Sequence, residues 1–285
     1  MDAVGLTAAT TGALTRRHIL GALAAWPLLA MPRSAAAGDA TGAATAAAPL
    51  PTRIVVVGDS QAQGLAAGLQ RLYRQDARFR VLDHARISTG LLRLGFFDWP
   101  AHAQQIAPSL RATTAVVMFG ANDRPSVRVR GEVDPQLLQN FSSLYGARAR
   151  TIIRAFRAAG THVVWVGHPV VRGQAYAEDM AIINQVCTQA CVAEGADFVP
   201  LWNLFTDQSG QYIAYGPGPD GQTTRLRSDD GVHLTMAGYL LAAQQIRPLV
   251  TAASPTPDLA SSRLATSRLA ASRLATSHLA GLASR

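Results

Sequence analysis

Residues 53–60, Arg-Ile-Val-Val-Val-Gly-Asp-Ser, combine a short apolar run with a polar turn. The run from Ile54 to Val57 is β-branched and too short for a helix, which is typical of a strand buried on both faces. Gly58 then permits a sharp turn, and the Ser60 hydroxyl follows where a helical pattern begins. The stretch therefore predicts a central parallel strand that delivers a serine to the edge of a sheet.

Strand and helix patterns alternate from this stretch to residue 252. Further strand candidates are Phe79–Leu82, Ala115–Phe119, His162–Val166 and Phe198–Leu201. Helical patterns cover Ala62–Tyr73, Ala101–Leu110, Gln136–Ala158, Glu178–Glu194 and Thr235–Val250. Such alternation implies right-handed crossovers and a parallel sheet covered by helices on both faces. We expect one domain, residues 52–252, with the three-layer α/β/α architecture and about five parallel strands.

The N-terminal residues 1–37 have the order of a secretory signal. Arg16-Arg17 precede an apolar stretch from Ile19 to Met31, and Ala35-Ala36-Ala37 supply the small residues of a cleavage site. The paired arginines resemble a twin-arginine signal, which predicts a periplasmic or secreted protein. An uncleaved anchor or a buried first helix are the alternatives. Residues 38–51, rich in Gly, Ala, Thr and Pro, are expected to form a flexible linker.

The C-terminal residues 253–285 contain a five-residue repeat of the type Leu-Ala-Thr-Ser-Arg. A step of five residues turns a helix by about 140°, so the leucines would make no apolar stripe. The segment is interpreted as a low-complexity tail that is disordered. The alternative is a basic arm that associates loosely with an anionic envelope surface.

Composition excludes several classes of protein. No run of 18 apolar residues occurs in the 285-residue chain, which excludes a multi-span membrane protein. All 26 basic residues are arginines, and much of the net charge of +8 comes from the two ends, so no nucleic-acid partner is needed to explain it. Cys187 and Cys191 cannot build a disulfide scaffold or a four-thiolate metal site, and we expect small buried core residues.

Polar residues follow the ends of three predicted strands, where ligands bind in parallel α/β sheets. Ser60 follows the first strand, Gly90 follows the second and Asn122 follows the third. The Asn122 amide can donate to an oxyanion, although an Asn-Asp pair also favours an Asx turn. Taken singly, Asp59 and Ser60 are typical of helix caps and Gly90 of a turn. None of these residues identifies an activity alone.

Asp230 and His233 are three residues apart, just before the last helical pattern. This spacing can place the carboxylate beside the imidazole within a single turn. A carboxylate on one ring nitrogen fixes the tautomer, so the other nitrogen can accept a proton from a serine hydroxyl. With Ser60 at the first strand, these residues form a candidate set of nucleophile, base and orienting group.

Four stretches together resemble the sequence blocks of the SGNH hydrolases, also called GDSL-type esterases. They are Gly58-Asp59-Ser60, Gly90, Gly120-Ala121-Asn122-Asp123 and Asp230-Gly231-Val232-His233. The blocks occur in the order of that family over most of residues 52–250. Further stretches look closest to an exported bacterial branch known only as a domain of unknown function. They are Ser88-Thr89-Gly90-Leu91, Phe97-Asp98-Trp99-Pro100, Trp165-Val166-Gly167 and Asp229–His233.

The resemblance implies a flavodoxin-like fold and a role for each matching residue. Ser60 would be the nucleophile, His233 the general base and Asp230 the residue that orients His233. The oxyanion hole would consist of the N–H groups of Ser60 and Gly90 and the side chain of Asn122. Neither a metal nor an organic cofactor is implied. Gln61 stands where the family has leucine, which we expect to affect packing or pocket shape more than mechanism.

The sequence therefore predicts an exported serine esterase that forms an acyl-serine intermediate. Its substrate would be a small-molecule, glycan or lipid-like ester. One alternative is an acyltransferase that uses the same triad on envelope polysaccharide. A catalytically silent glycan-binding module is another, but such a module gains nothing from keeping all three triad residues. The oligomeric state and the natural substrate are left open.

Overall fold

The computed structural model describes residues 50–252. The predicted signal peptide, nearly all of the linker and the repeat-containing tail fall in residues 1–49 and 253–285, outside the described residues. In chain order the elements are β1 (Thr52–Gly58), α1 (Ser60–Leu72), β2 (Phe79–Asp83), α2 (Trp99–Leu110), β3 (Thr114–Met118), β4 (Arg128–Val129), β5 (Glu132–Val133), α3 (Pro135–Ala158), β6 (His162–Val166), α4 (Gln174–Glu194), β7 (Asp197–Val199), a 3₁₀ turn (Trp202–Phe205), β8 (Tyr215–Pro217), β9 (Thr223–Arg225) and α5 (Met236–Ala252).

Five strands form one parallel sheet in the order β2-β1-β3-β6-β7. The chain passes from β1 to β2 on one side and then crosses to β3 on the other, which makes the carboxyl ends of β1 and β3 a topological switch point. Gly58 pairs with Met118 at this edge. Residues that follow these two strands therefore emerge side by side, and the predicted flavodoxin-like sheet is confirmed.

Helices cover both faces of the sheet, as the apolar run in β1 predicts. Ile54 and Val56 pack with α1 and α5 on one face, whereas Val55 and Val57 pack with α2, α3 and α4 on the other. All four side chains are buried. The three-layer α/β/α sandwich is therefore confirmed. Within the described range, no helix has the length and apolar character needed to cross a membrane.

Cys187 and Cys191 lie on the buried side of α4 as free thiols. Both belong to the core between α4 and the sheet, which agrees with the expectation of small core residues. Burial raises the pKa of the Cys191 thiol to about 12. The thiol is therefore protonated at neutral pH and is a poor nucleophile.

Element boundaries differ from the sequence prediction where local hydrogen bonds decide them. Helix α1 begins at Ser60 because the Asp59 side chain accepts the Gln61 N–H and caps it. The last strand, β7, ends at Val199 rather than at Leu201 because the chain turns into the 3₁₀ segment. The hairpins β4–β5 and β8–β9 were not predicted, since strands of two or three residues carry too little periodicity.

The close approach of β1 and β3 makes Gly58 a sensitive position. Its φ is +149°, and an added Cβ would lie 1.9 Å from the carbonyl oxygen of Met118. We expect Gly58→Ala to lower the free energy of unfolding by about 2 to 6 kcal/mol through backbone strain and overpacking. Urea denaturation measures this change.

Gly95→Ala is the matched control, because a Cβ there meets nothing within 4 Å. We expect it to change the free energy of unfolding by less than about 0.5 kcal/mol. Similar losses in the two variants would contradict the account of the β1–β3 contact.

Candidate active site

The three residues of the predicted triad meet at the carboxyl edge of the sheet. Ser60 is the first residue of α1, and its Oγ lies 2.8 Å from Nε2 of His233. Nδ1 of the same ring lies 2.6 Å from Oδ2 of Asp230. The structure thus joins one hydroxyl, one imidazole and one carboxylate in a continuous hydrogen-bonded chain, as the sequence predicts.

The turn before α5 places the carboxylate beside the ring. Oδ1 of Asp230 accepts the N–H groups of Val232 and His233 at 2.8 and 2.9 Å, which fixes an Asx turn. Gly231, which lies between Asp230 and Val232, has a φ of +71°, and a Cβ there would lie 2.6 Å from Cβ of Arg172. Oδ2 remains free to contact the imidazole. The backbone hydrogen bonds to Asp230 therefore hold the turn in which Asp230 and His233, three residues apart, come into contact.

The charge on Asp230 suits this arrangement. Partial burial acts to raise the pKa of this carboxyl, but the hydrogen bonds from the His233 ring and from the two backbone N–H groups outweigh it and lower the pKa to about 2. Asp230 is therefore ionised at neutral pH. An ionised carboxylate at Nδ1 favours the tautomer in which Nε2 can accept the Ser60 proton.

The predicted oxyanion donors lie at the same edge. No protein hydrogen bond engages the backbone N–H of Ser60 or of Gly90 within residues 50–252. Nδ2 of Asn122 donates one hydrogen bond to the carbonyl of Thr89 at 2.9 Å, directly before Gly90. An amide nitrogen carries two hydrogens, so Asn122 has a second N–H that it can donate. The structure therefore brings Asn122 to the Gly90 segment, with one of its hydrogens already engaged.

Asp123 holds the Gly90 segment in place, a role that the sequence analysis missed. Its buried carboxylate accepts the N–H groups of Leu91 and Leu92 at 2.6 and 3.0 Å and the Tyr145 hydroxyl at 3.3 Å. A Cβ on Gly90 would lie 2.1 Å from Oδ1 of Asp123, so only glycine fits there. Burial raises the pKa of Asp123 in spite of these hydrogen bonds.

Asp59 directly precedes Ser60 in the chain and is completely buried. Its oxygens accept the N–H groups of Gln61 at 2.9 Å and Gly120 at 3.3 Å, which joins the turn after β1 to the turn after β3. Burial raises the pKa of this carboxyl to about 7. Asp59 therefore fixes the relative position of the two strand ends from which Ser60 and Asn122 emerge.

Gln61 has a positioning role that the sequence did not predict. It is completely buried, and its Nε2 donates to the Val232 carbonyl at 2.7 Å, next to His233. Its Oε1 accepts the hydroxyl of Tyr239 in α5 at 3.0 Å. The residue after the serine is therefore tied to the turn that carries the histidine. The burial of Gln61 agrees with the expected influence on packing, and two hydrogen bonds to the region around His233 accompany it.

Arg227 is hydrogen-bonded to the turn that carries His233, a role that the sequence analysis also did not predict. The buried guanidinium donates to the carbonyls of Val170, Gly231 and Val232, and it lies 4.8 Å from the ring centre of Tyr212. Burial lowers its pKa to about 10, so the group is still charged at neutral pH. These carbonyl contacts compensate part of the cost of burying the cation.

His168, a second histidine near the site, is also completely buried. Burial, together with the nearby charge of Arg227, lowers its pKa to about 3. The ring is therefore neutral at physiological pH and has no access to solvent. The ring is therefore part of the packed interior of the protein.

The arrangement can move a proton from a serine hydroxyl to an imidazole and hold the resulting charge next to an ionised carboxylate. Backbone and amide N–H groups at the same sheet edge can donate hydrogen bonds to a substrate oxygen that carries negative charge. In the described part of the chain, no group of three or more His, Cys, Asp and Glu residues is placed to hold a metal ion. These groups are of the kind that acyl transfer through a serine requires.

The raised pKa of Asp59 gives folding stability a predictable pH dependence. The native state keeps this proton up to about pH 7, whereas an unperturbed aspartate with a pKa of 3.8 releases it earlier. The contribution of Asp59 to the free energy of unfolding should therefore fall as the pH rises from 4 to 7, whereas that of His168, whose pKa is lowered to about 3, should rise over the same range. We expect Asp59→Asn to remove the first contribution, so that the slope measured by urea denaturation at several pH values becomes more positive than in the unaltered chain. An unchanged slope in the variant would contradict the assignment.

The Gln61 tether predicts a coupling with Tyr239. Gln61→Leu leaves the buried Tyr239 hydroxyl without its acceptor, which we expect to lower the free energy of unfolding by about 1 to 3 kcal/mol. Gln61→Leu/Tyr239→Phe removes both polar partners and should recover much of that loss. Chemical denaturation of Gln61→Leu, Tyr239→Phe and the double variant gives the free energies for a double-mutant cycle. Strictly additive losses would contradict the coupling.

Comparisons with known proteins agree with this geometry. The model of a family described as "Protein of unknown function (DUF459)" matches residues 53–248, which is more than half of the chain. This family is known as SGNH-like. A comparison with curated proteins found no match.

Solved structures show the same fold at low sequence identity. The chain is similar to a catalytic mutant of an acetylxylan esterase from Geobacillus stearothermophilus, with 13% identity over 70% of this chain and 94% of that chain and a TM-score of 0.51. It is also similar to an α/β hydrolase enzyme from the metagenome of Lake Arreo in Spain, with 14% identity over 72% and 97% of the two chains and a TM-score of 0.51. A GDSL-like lipase from Bacteroides thetaiotaomicron gives 13% identity, coverage of 71% and 89% and a TM-score of 0.49. The chain therefore belongs to the DUF459 family and has the fold of the SGNH hydrolases.

Proposed function

We propose that the protein is a serine esterase that hydrolyses its substrate through an acyl-Ser60 intermediate. The observation that carries this proposal is the continuous contact of three groups, 2.8 Å from Ser60 Oγ to His233 Nε2 and 2.6 Å from His233 Nδ1 to Asp230 Oδ2. A hydroxyl, an imidazole and a carboxylate in this order are the parts of a nucleophile, its base and the group that orients the base.

In the first half of the reaction, Ser60 Oγ attacks the carbonyl carbon of the ester while its proton passes to Nε2 of His233. The ionised Asp230 stabilises the imidazolium that forms. The carbonyl electron pair moves onto oxygen, where the N–H groups of Ser60 and Gly90 and the Asn122 amide can donate to it. The tetrahedral intermediate then expels the alcohol, which takes the proton from His233, and acyl-Ser60 remains.

In the second half, a water molecule gives its proton to His233 and attacks the acyl carbon. The bond between Ser60 Oγ and that carbon breaks, the proton returns to Oγ, and a carboxylic acid is released. Each oxyanion donor typically contributes about 2.7 to 4 kcal/mol to transition-state stabilisation. The first turn of the 13-residue helix α1 lies at the same point, and its positive end also favours the oxyanion.

The comparisons lend support to this proposal. Two of the similar structures are catalytic mutants of the acetylxylan esterase, one of an aspartate and the other of a histidine three residues further along. Asp230 and His233 have the same spacing in this chain. The spacing supports the assignment of these two residues to one catalytic set.

We also propose that the esterase acts outside the cytoplasm. The support comes from residues 1–37, where paired arginines precede a short apolar stretch and a run of small residues. A twin-arginine signal exports proteins that have already folded. A substrate in the cell envelope or outside it fits such a route.

The triad predicts a sharp loss of turnover in single variants. We expect the full chain to hydrolyse nitrophenyl esters of short and medium acyl chains, and Ser60→Ala and His233→Ala to lower kcat/KM by at least about 1000-fold. Release of nitrophenol, measured with and without an added sugar as acyl acceptor, gives the rates. Dominant transfer of the acyl group to the sugar would identify an acyltransferase instead.

His162→Ala is the matched control for this experiment. Nε2 of His162 lies 2.6 Å from Oδ2 of Asp197, so this pair has a similar contact but lies at the opposite edge of the sheet. We expect the variant to keep its turnover within about threefold, as for a surface substitution away from the site. Equal turnover in the unaltered chain, Ser60→Ala and His233→Ala would contradict the proposed function.

A further inference from the structure

The segment of residues 84–97, between β2 and α2, exposes apolar side chains next to the candidate active site. We call it the Gly90 loop. The relative exposure is 58% for Ile87, 36% for Leu94 and 68% for Phe96. The loop has two arginines, Arg86 and Arg93, and no acidic residue. It is therefore an exposed surface with both apolar and cationic character.

The two arginines contact carbonyl and aromatic groups of the same loop. Nη1 of Arg93 donates to the Ser88 carbonyl at 3.0 Å, and its guanidinium lies 6.0 Å from the ring centre of Phe96. The guanidinium of Arg86 lies 4.4 Å from the ring centre of Phe97. None of these contacts neutralises a charge, because carbonyls and aromatic rings are the partners. Both cations remain available to an anion.

The acidic residues on either side of the loop are engaged elsewhere. Asp83 accepts the Ala85 N–H at 2.9 Å, and Asp98 accepts the Ala101 N–H at 3.0 Å as the cap of α2. Neither carboxylate forms an ion pair with an arginine within the described residues. The loop therefore presents its positive charge without an internal salt bridge.

The backbone of the Gly90 loop is hydrogen-bonded to the turns that carry the candidate site. The Arg86 N–H donates to the Gly58 carbonyl at 2.8 Å, two residues before the serine. The Thr89 carbonyl accepts the Asn122 amide, and Gly90 follows as a proposed oxyanion donor. A substrate whose carbonyl reaches Ser60 can therefore extend its acyl chain or its head group across the Gly90 loop.

We propose that the natural substrate is an anionic amphiphile, an acyl ester of a phospholipid type that is presented by an anionic lipid surface. This inference rests on the proposed esterase function and deepens it. Ile87, Leu94 and Phe96 contact the acyl chain, and Arg86 and Arg93 contact the anionic head groups. An acetylated glycan makes no use of three exposed apolar side chains, because its short acyl group has little apolar surface to bury.

The first arm of the test measures binding without turnover. Full-length Ser60→Ala protein is sedimented with vesicles of phosphatidylglycerol and, in parallel, with vesicles of phosphatidylcholine. We expect binding to phosphatidylglycerol alone, and the added pair Arg86→Gln/Arg93→Gln should weaken it about 25-fold, about fivefold for each arginine. The arginines of residues 253–285 are present in every variant, so the difference reports on the Gly90 loop.

Arg111→Gln and Val192→Ser are the matched controls. Arg111 follows α2 and Val192, 79% exposed, lies near the end of α4, so both lie near the amino edge of the sheet. We expect them to leave vesicle binding unchanged. Binding by Arg86→Gln/Arg93→Gln that equals the binding of the parent would overturn the proposal, as would equal binding to the two kinds of vesicle.

The second arm measures specificity in the active enzyme. Ile87→Ser/Phe96→Ser should lower the ratio of kcat/KM for a long-chain ester to that for a short-chain ester by about tenfold or more. If the unaltered protein hydrolyses none of these esters but still selects phosphatidylglycerol vesicles, the result would count against the esterase and support the lipid surface. A higher kcat/KM for acetylated xylan than for phosphatidylglycerol would overturn the substrate class while supporting the esterase. An unchanged chain-length ratio would also overturn it.

Discussion

The contact between the Ser60 hydroxyl and the His233 ring joins residues that are 173 positions apart in the chain, and the chemistry of the site depends on it. The sheet order brings Ser60 and Asn122 to the same edge, because β1 and β3 end side by side at the switch point. Helices α1 and α5 share one face of the sheet and pack together. Ser60 therefore begins the helix that packs against the one following His233.

Buried polar groups hold the turns that carry the reacting atoms. Asp59 joins the ends of β1 and β3, Asp123 holds the segment around Gly90, and Arg227 and Gln61 hold the carbonyl of Val232. Burying such groups is costly unless each is hydrogen-bonded. Most of the hydrogen bonds that these groups form end on backbone atoms. The groups that are costly to bury therefore also fix the geometry of the site.

Local sequence patterns predicted the parts of the site that depend on local structure. The β-branched run before Gly58 indicated a buried strand, and the spacing of Asp230 and His233 indicated one turn. Asn122 was placed at the correct strand end, but its bond to the Thr89 carbonyl depends on residues 33 positions away. The hydrogen bonds of Gln61 and Arg227 were not predicted because their partners are set by tertiary packing. The bond from Gln61 to Val232, for example, spans 171 positions. Periodicity carries no signal for such contacts.

In the proposed mechanism, His233 activates Ser60 as a nucleophile. Reaction of the full chain with a fluorophosphonate, followed by mass spectrometry of proteolytic peptides, distinguishes an activated serine from an ordinary one. The proposed chemistry predicts one stoichiometric adduct on the peptide that contains Ser60, and its loss in His233→Ala. Labelling of a different residue, or ester hydrolysis that persists without any adduct at Ser60, would contradict it.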